Sequence, residues 1–196
     1  MQSAQTSQLS AKEKKAHELD KIFWLISESR YELLREVEGC DRQADLKATV
    51  TDNPHIIAMA DSLGIPKERR FINISPKLED LKASYKEILK ISRKLTQDEK
   101  PHVIFVYAGG HGATDNEQQI FLLNSNNPKN AYFHLEYKLR FMVADLLTLA
   151  RVFGVFDCCR VPMKNLRGLS DGRGFGLDGG DTIEEEDEAL NKYFHI

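Results

Sequence analysis

Little in this chain points towards a membrane, a nucleic acid or an oxidising compartment. Its three cysteines are an odd number and two of them, Cys158 and Cys159, are adjacent, which makes no disulfide framework. Neither sign of charge prevails. The 27 Lys and Arg against 30 Asp and Glu leave a formal net charge of −3, so there is no electrostatic case for nucleic acid or an anionic bilayer. No apolar run approaches the roughly 20 residues that span a membrane. The N-terminal stretch MQSAQTSQLSAKEKKAHELDK lacks the apolar core of a signal peptide. These absences predict the cytosol or nucleus as the compartment, with a cytoplasmic protein as the first expectation. At 196 residues the chain can bury one sizeable core, and a second full domain would be a squeeze.

What the chain does have is two short apolar runs that each end in a reactive side chain. The first, residues 103–107, continues as VIFVYAGGHG and places His111 between Gly110 and Gly112. The second, residues 152–156, lies within RVFGVFDCCR and ends in Asp157, Cys158, Cys159 and Arg160. Both read as buried strands. In an open parallel sheet the carboxyl ends of strands are where ligands and chemistry collect. His111 and Cys159 stand 48 residues apart, enough for a parallel crossover between the two strands.

The remaining elements alternate in the same sense. Residues 22–26 (IFWLI) read as the first core strand, followed by a loop with a helical turn at 32–38. Apolar spacing suits a helix from 44 to 63, interrupted or restarted at Pro54 with Thr51 or Asp52 as cap and Gly64 closing it. A strand at 70–74 (RFINI), an N-cap at Ser75–Pro76 and an amphipathic helix over 77–95 follow. A polar loop after His111, a strand at 119–123 and a helix over 135–150, with Leu139, Met142, Val143, Leu146 and Leu149 inward, lead into the cysteine strand. The order predicts an α/β fold with a mostly parallel sheet.

The pair of strand ends, HG and then D-x-C-R, resembles the caspase-like cysteine peptidases, and the D-x-C form looks closer to their metacaspase and paracaspase branch. A histidine about 50 residues upstream of the cysteine is characteristic of the caspases. The resemblance covers residues 21–160. It implies a three-layer α-β-α sandwich and a cysteine endopeptidase whose nucleophile is Cys159 and whose base or ion-pair partner is His111. The backbone N–H groups of Gly112 and Cys159 would form the oxyanion hole. By the same resemblance Asp157 lines the S1 pocket, favouring Arg or Lys at P1, with Asp45 in the register of a second acid. Strand-end capping or a bond to Arg160 is the competing reading of Asp157. Cys158, on the opposite face of an extended strand, is expected to pack in the core, and it competes as nucleophile only if the alternation breaks.

The domain boundaries predicted are a flexible tail at 1–18, a caspase-like large-subunit domain at 19–163, a glycine-rich and acidic linker at 164–190, and the start of a small-subunit strand at 191–196. The C-terminal strands that the family normally adds are missing from this pattern. Arg167 and Arg173, in the linker, are either self-processing sites or ordinary basic loop residues. No metal or other cofactor is implied. Leu166 stands where the resemblance puts a calcium-binding acid, and adjacent cysteines lack zinc-ligand spacing. The partners implied are a peptide or protein substrate and a small-subunit polypeptide or second copy. The rivals are a weakly active or inactive scaffold of the same fold, and a phosphate-cradling AGGHG loop that lacks both G-x-G-x-x-G and the P-loop lysine.

Overall fold

The computed structural model describes residues 19–31, 45–115, 118–125, 132–145, 149–158 and 161–162. The expected tail, the linker with Arg167 and Arg173, the final strand at 191–196, the turn at 32–38, and Cys159, Arg160 and Leu146 lie outside them. Among the described residues the chain forms an α/β unit around a four-stranded, all-parallel sheet in the order β2-β1-β3-β7. These strands are β1 (Asp20–Ser27), β2 (Arg70–Ile74), β3 (His102–Gly110) and β7 (Ala150–Cys158).

β1 lies between β2 and β3, and Ile22–Ile26 are all fully buried. A central parallel strand covered on both faces needs a continuous apolar run rather than alternation, and IFWLI supplies one. Its even-numbered residues Ile22, Trp24 and Ile26 enter one core with α2 (Leu78–Gln97) and α3 (Leu135–Asp145). Phe23 and Leu25 enter a second, smaller core on the other face with Ala60 of α1 (Lys47–Ser62). The Trp24 indole N–H donates to Asn73 Oδ1 at 2.8 Å, tying β1 to β2.

A second, small sheet follows the end of β3. β4 (Gly112–Asp115) and β5 (Gln118–Leu122) are antiparallel, β6 (Tyr132–Phe133) extends β5, and β8 (Val161–Pro162) runs parallel to β4. The segment after His111 is thus a strand, where the sequence suggested a polar loop.

Other departures have local causes. α1 runs through Pro54 without a break and is preceded by Leu46 as N-cap, not Thr51 or Asp52. Thr49 and Thr51 instead direct their hydroxyls to the carbonyls of Leu46 and Lys47. Its other end follows expectation, with Gly64 at φ +66°. The Ile65 and Gly64 N–H groups donate to the Ala60 and Asp61 carbonyls, the paired bonds of a Schellman ending. α2 begins at Leu78, with Lys77 as its cap residue. Ser75 cannot cap it because it takes a left-handed φ of 49° and donates its N–H to Ser27, closing β2 onto β1.

Among the described residues α3 covers Leu135–Asp145, Leu149 and Ala150 are no longer helical, and Val143 is exposed, although Leu139 and Met142 are buried as the spacing predicted. The largest correction concerns β7, expected as a buried strand. Phe153, Val155 and Phe156 are 59%, 44% and 37% exposed. Among the described residues β7 pairs only with β3, so it is an edge. Cys158 at its end is half-buried, not core.

Candidate functional site

The strand order 2-1-3 makes the chain leave β1 in one direction along the sheet and return past it to β3. The crevice at the carboxyl ends of such strands is the usual ligand position in open α/β sheets. Of the residues singled out from sequence, His111, Gly112, Asp157 and Cys158 are described and lie at that end, whereas Cys159 lies outside the described residues. Gly109 and Gly110 of β3 lie alongside Asp157 and Cys158 of β7 in the parallel register, and His111 follows directly.

His111 is held by its backbone from two sides. Its N–H donates to the Tyr31 hydroxyl at 2.6 Å, and its carbonyl accepts from the Leu122 N–H at 3.0 Å. The half-buried imidazole packs against the Tyr31 ring at 4.5 Å between centroids. Tyr31 is itself fixed, since its hydroxyl donates to the Glu28 carbonyl at 3.3 Å. Gly110 must be glycine for this packing. A Cβ there would stand 2.5 Å from the Tyr31 hydroxyl and 2.8 Å from Phe121 Cζ. Gly112 opens β4 opposite Phe121 and is buried.

Asp157 is exposed on β7 and accepts a hydrogen bond from the Tyr107 hydroxyl at 3.2 Å. Burial pushes the Tyr107 phenol up to about 12, and the neighbouring Asp157 carboxylate adds to the shift, because both disfavour a phenolate. Asp45 is exposed. The hydrogen bond from the Leu46 N–H to the Ser29 carbonyl, 2.8 Å, ties its neighbour to the chain leaving β1. His111 and the Asp157–Cys158 strand end are therefore brought to adjacent strands, and Asp45 to the same end of the sheet by way of β1.

Three residues of this region were missed in the sequence. Tyr31 and Tyr107 are the hydroxyls that hold His111 and Asp157. Glu28, the third, follows β1 and is buried. Its Oε1 accepts from the N–H groups of Ser29 and Arg30 at 2.8 and 3.0 Å and from the Ser75 hydroxyl at 3.2 Å. Its N–H donates to the Gly109 carbonyl at 3.0 Å, joining the ends of β1 and β3. The signal for Glu28 was present: a carboxylate directly after an apolar strand, the pattern that singled out Asp157. Nothing in the sequence marks Tyr31, whose role depends on chain 80 residues away.

Chemically, the site offers an imidazole of fixed backbone, an exposed carboxylate and a thiol-bearing strand end. No group of three or more His, Cys, Asp or Glu side chains that could hold a metal ion occurs among the described residues. No helix among them is long and apolar enough to cross a membrane. No protein-family model and no curated protein matches the chain.

Proposed function

We propose that this chain is a caspase-like cysteine endopeptidase domain that cleaves after Arg or Lys. The observation that carries the reading is the β3–β7 register. Two parallel strands are paired along their whole length, from His102 with Ala150 to Gly110 with Cys158. One leads into His111 and the other into Cys159. In the proposed reaction the Cys159 thiolate attacks the substrate carbonyl carbon, and the carbonyl π electrons move onto oxygen as a tetrahedral oxyanion forms. Backbone N–H groups of Gly112 and Cys159 stabilise that oxyanion. It collapses, the C–N bond breaks, and the protonated His111 gives its proton to the leaving amine. Water, deprotonated by His111, then hydrolyses the thioester and regenerates the thiol. Asp157, exposed at the strand end, meets the P1 cation, and Asp45 is the second acid of that pocket.

Paired fluorogenic peptides ending in Arg or Asp test this, assayed with the chain and its Cys159→Ala variant. Cleavage after Arg that vanishes in the variant is the expected result. Cleavage after Asp would remove Asp157 from the pocket.

The exposed β7 edge favours a second reading, a scaffold of the same fold without hydrolytic turnover. A thiol-reactive peptide probe ending in Arg separates the two, since a scaffold leaves Cys159 unlabelled.

A further inference from the structure

Tyr107 and Gly109 alternate with Ala108 along β3, so they share one face of the strand. Gly109 is the register partner of Asp157 on β7. The Tyr107 side chain runs forward along β3, over Gly109, to reach that carboxylate. A Cβ on Gly109 would stand 2.9 Å from Tyr107 Cε1 and 3.2 Å from its hydroxyl oxygen, a space that only glycine leaves open. The hydroxyl donates to Asp157 Oδ2 at 3.2 Å. We propose that Tyr107 is a positioning residue for the P1 pocket: it holds the Asp157 carboxylate in one plane, and that fixed plane selects the guanidinium of arginine over the ammonium of lysine. This selectivity rests on the peptidase reading, whose cationic P1 residue it narrows to arginine.

Asp157 could not hold that plane by itself. It is exposed on β7, and the terminal torsion of an aspartate is broad rather than confined to narrow wells. Tyr107 is the fixed member. Its ring is buried in the smaller core with Phe23, Leu25, Ala60 and Ile65, and the hydroxyl is its polar tip. The phenol is pushed up to about 12 by burial and then by Asp157, with Asp52 of α1 adding to the shift. It therefore keeps its proton at neutral pH, and it orients Asp157 without cancelling the charge that a P1 cation would meet.

Orientation matters unequally to the two P1 cations. An ionised carboxylate has about four lone-pair sites, so one bond from Tyr107 leaves room for a two-pronged contact. Guanidinium is planar and donates through a rigid fork, and its paired bonds to a carboxylate form only when the two planes match. The lysine ammonium is a compact charge with three rotatable donors. It makes much the same contact with a turning carboxylate as with a held one. Preorganising Asp157 thus strengthens arginine binding and leaves lysine binding nearly as it was.

Matched fluorogenic peptides ending in Arg and in Lys test this on the full chain, with kcat and KM measured separately. The parent protein is expected to prefer Arg. Tyr107→Phe keeps the ring in the core and removes only the hydroxyl. Its kcat/KM for Arg should fall roughly tenfold, the scale of one hydrogen bond to a charged group, chiefly through KM. Cleavage after Lys should change by less than about twofold, so the preference narrows. Gly109→Ala, whose methyl group displaces the Tyr107 ring, should narrow it in the same way and serves if Tyr107→Phe fails to fold. Trp24 emission reports the folding of each variant. In an Asp157→Asn background Tyr107→Phe should leave the ratio unmoved, because no carboxylate remains to be held. Equal cleavage after Arg and Lys by the parent protein would overturn the proposal and leave the peptidase reading standing. An Arg-to-Lys ratio that Tyr107→Phe leaves unchanged would do the same, and would make the Tyr107–Asp157 bond a tie between strands and nothing more. A parent protein that cleaves neither peptide would remove the peptidase reading itself, and the arginine selectivity with it.

Discussion

The hydrogen bond from the His111 N–H to the Tyr31 hydroxyl is made by a phenol that is only 1% exposed. Water cannot readily replace that acceptor, so Tyr31→Phe is expected to cost about 1–3 kcal/mol in urea unfolding. Gly110→Ala acts on the same contact from the other side. Its methyl group must displace Tyr31 or Phe121, both fully buried, and overpacking of this kind costs roughly 1–3 kcal/mol. Tyr107 sets a pH dependence. Its phenol is raised from 10.0 to about 12 in the folded chain, so the folded state holds the proton more tightly than the unfolded one. Its contribution is fully present below about pH 10 and is lost as the pH rises to about 12. Tyr107→Phe should therefore lose less stability over that interval than the parent protein, measured by thermal unfolding across a pH series.

Among the elements, the two helices that flank the sheet from opposite faces differ in how firmly they are bound. α2 buries Leu78, Leu81, Tyr85, Ile88, Leu89 and Leu95 along one side, the stripe that its 3.6-residue spacing predicts. Leu81→Ala is expected to cost about 2–5 kcal/mol, because the site sits in the main core and can collapse only in part. α1 buries only Thr49, Asn53 and Ala60 and depends more on its ends. Gly64→Ala meets no atom within 4 Å of the new Cβ, yet the φ of +66° remains. A left-handed alanine costs roughly 1–2 kcal/mol, so this variant should be destabilised by backbone strain alone, read as a lowered urea midpoint with unchanged slope.

For the molecule as a whole, burial falls from the centre of the sheet outwards. β1 is enclosed by two neighbouring strands and two cores, whereas α1 is largely exposed and β7 forms an edge among the described residues. Amide hydrogen exchange should follow that gradient, with β1 slowest and α1 among the fastest of the regular elements. Equal protection of α1 and β1 would show that the two faces open only together. Trp24, the single tryptophan, lies in the main core, so its emission reports on the most protected region.

Periodicity and apolar runs by themselves determined the α/β alternation, the positions of β1, β2, β3 and α2, and the glycine ending of α1. Each of those signals is local: an unbroken apolar run, a 3.6-residue stripe, or a residue that tolerates positive φ. The tertiary structure alone decided that VFGVF is largely exposed and, among the described residues, lies at an edge, because the exposure of a strand depends on which strands and helices lie beside it and not on its own residues. It also decided that Tyr31 and Tyr107 hold His111 and Asp157, since those bonds join segments 80 and 50 residues apart. The partnership of β3 and β7 was legible as two similar strand ends, but their register was not. Register is fixed by the whole sheet, through the burial of β1 between β2 and β3.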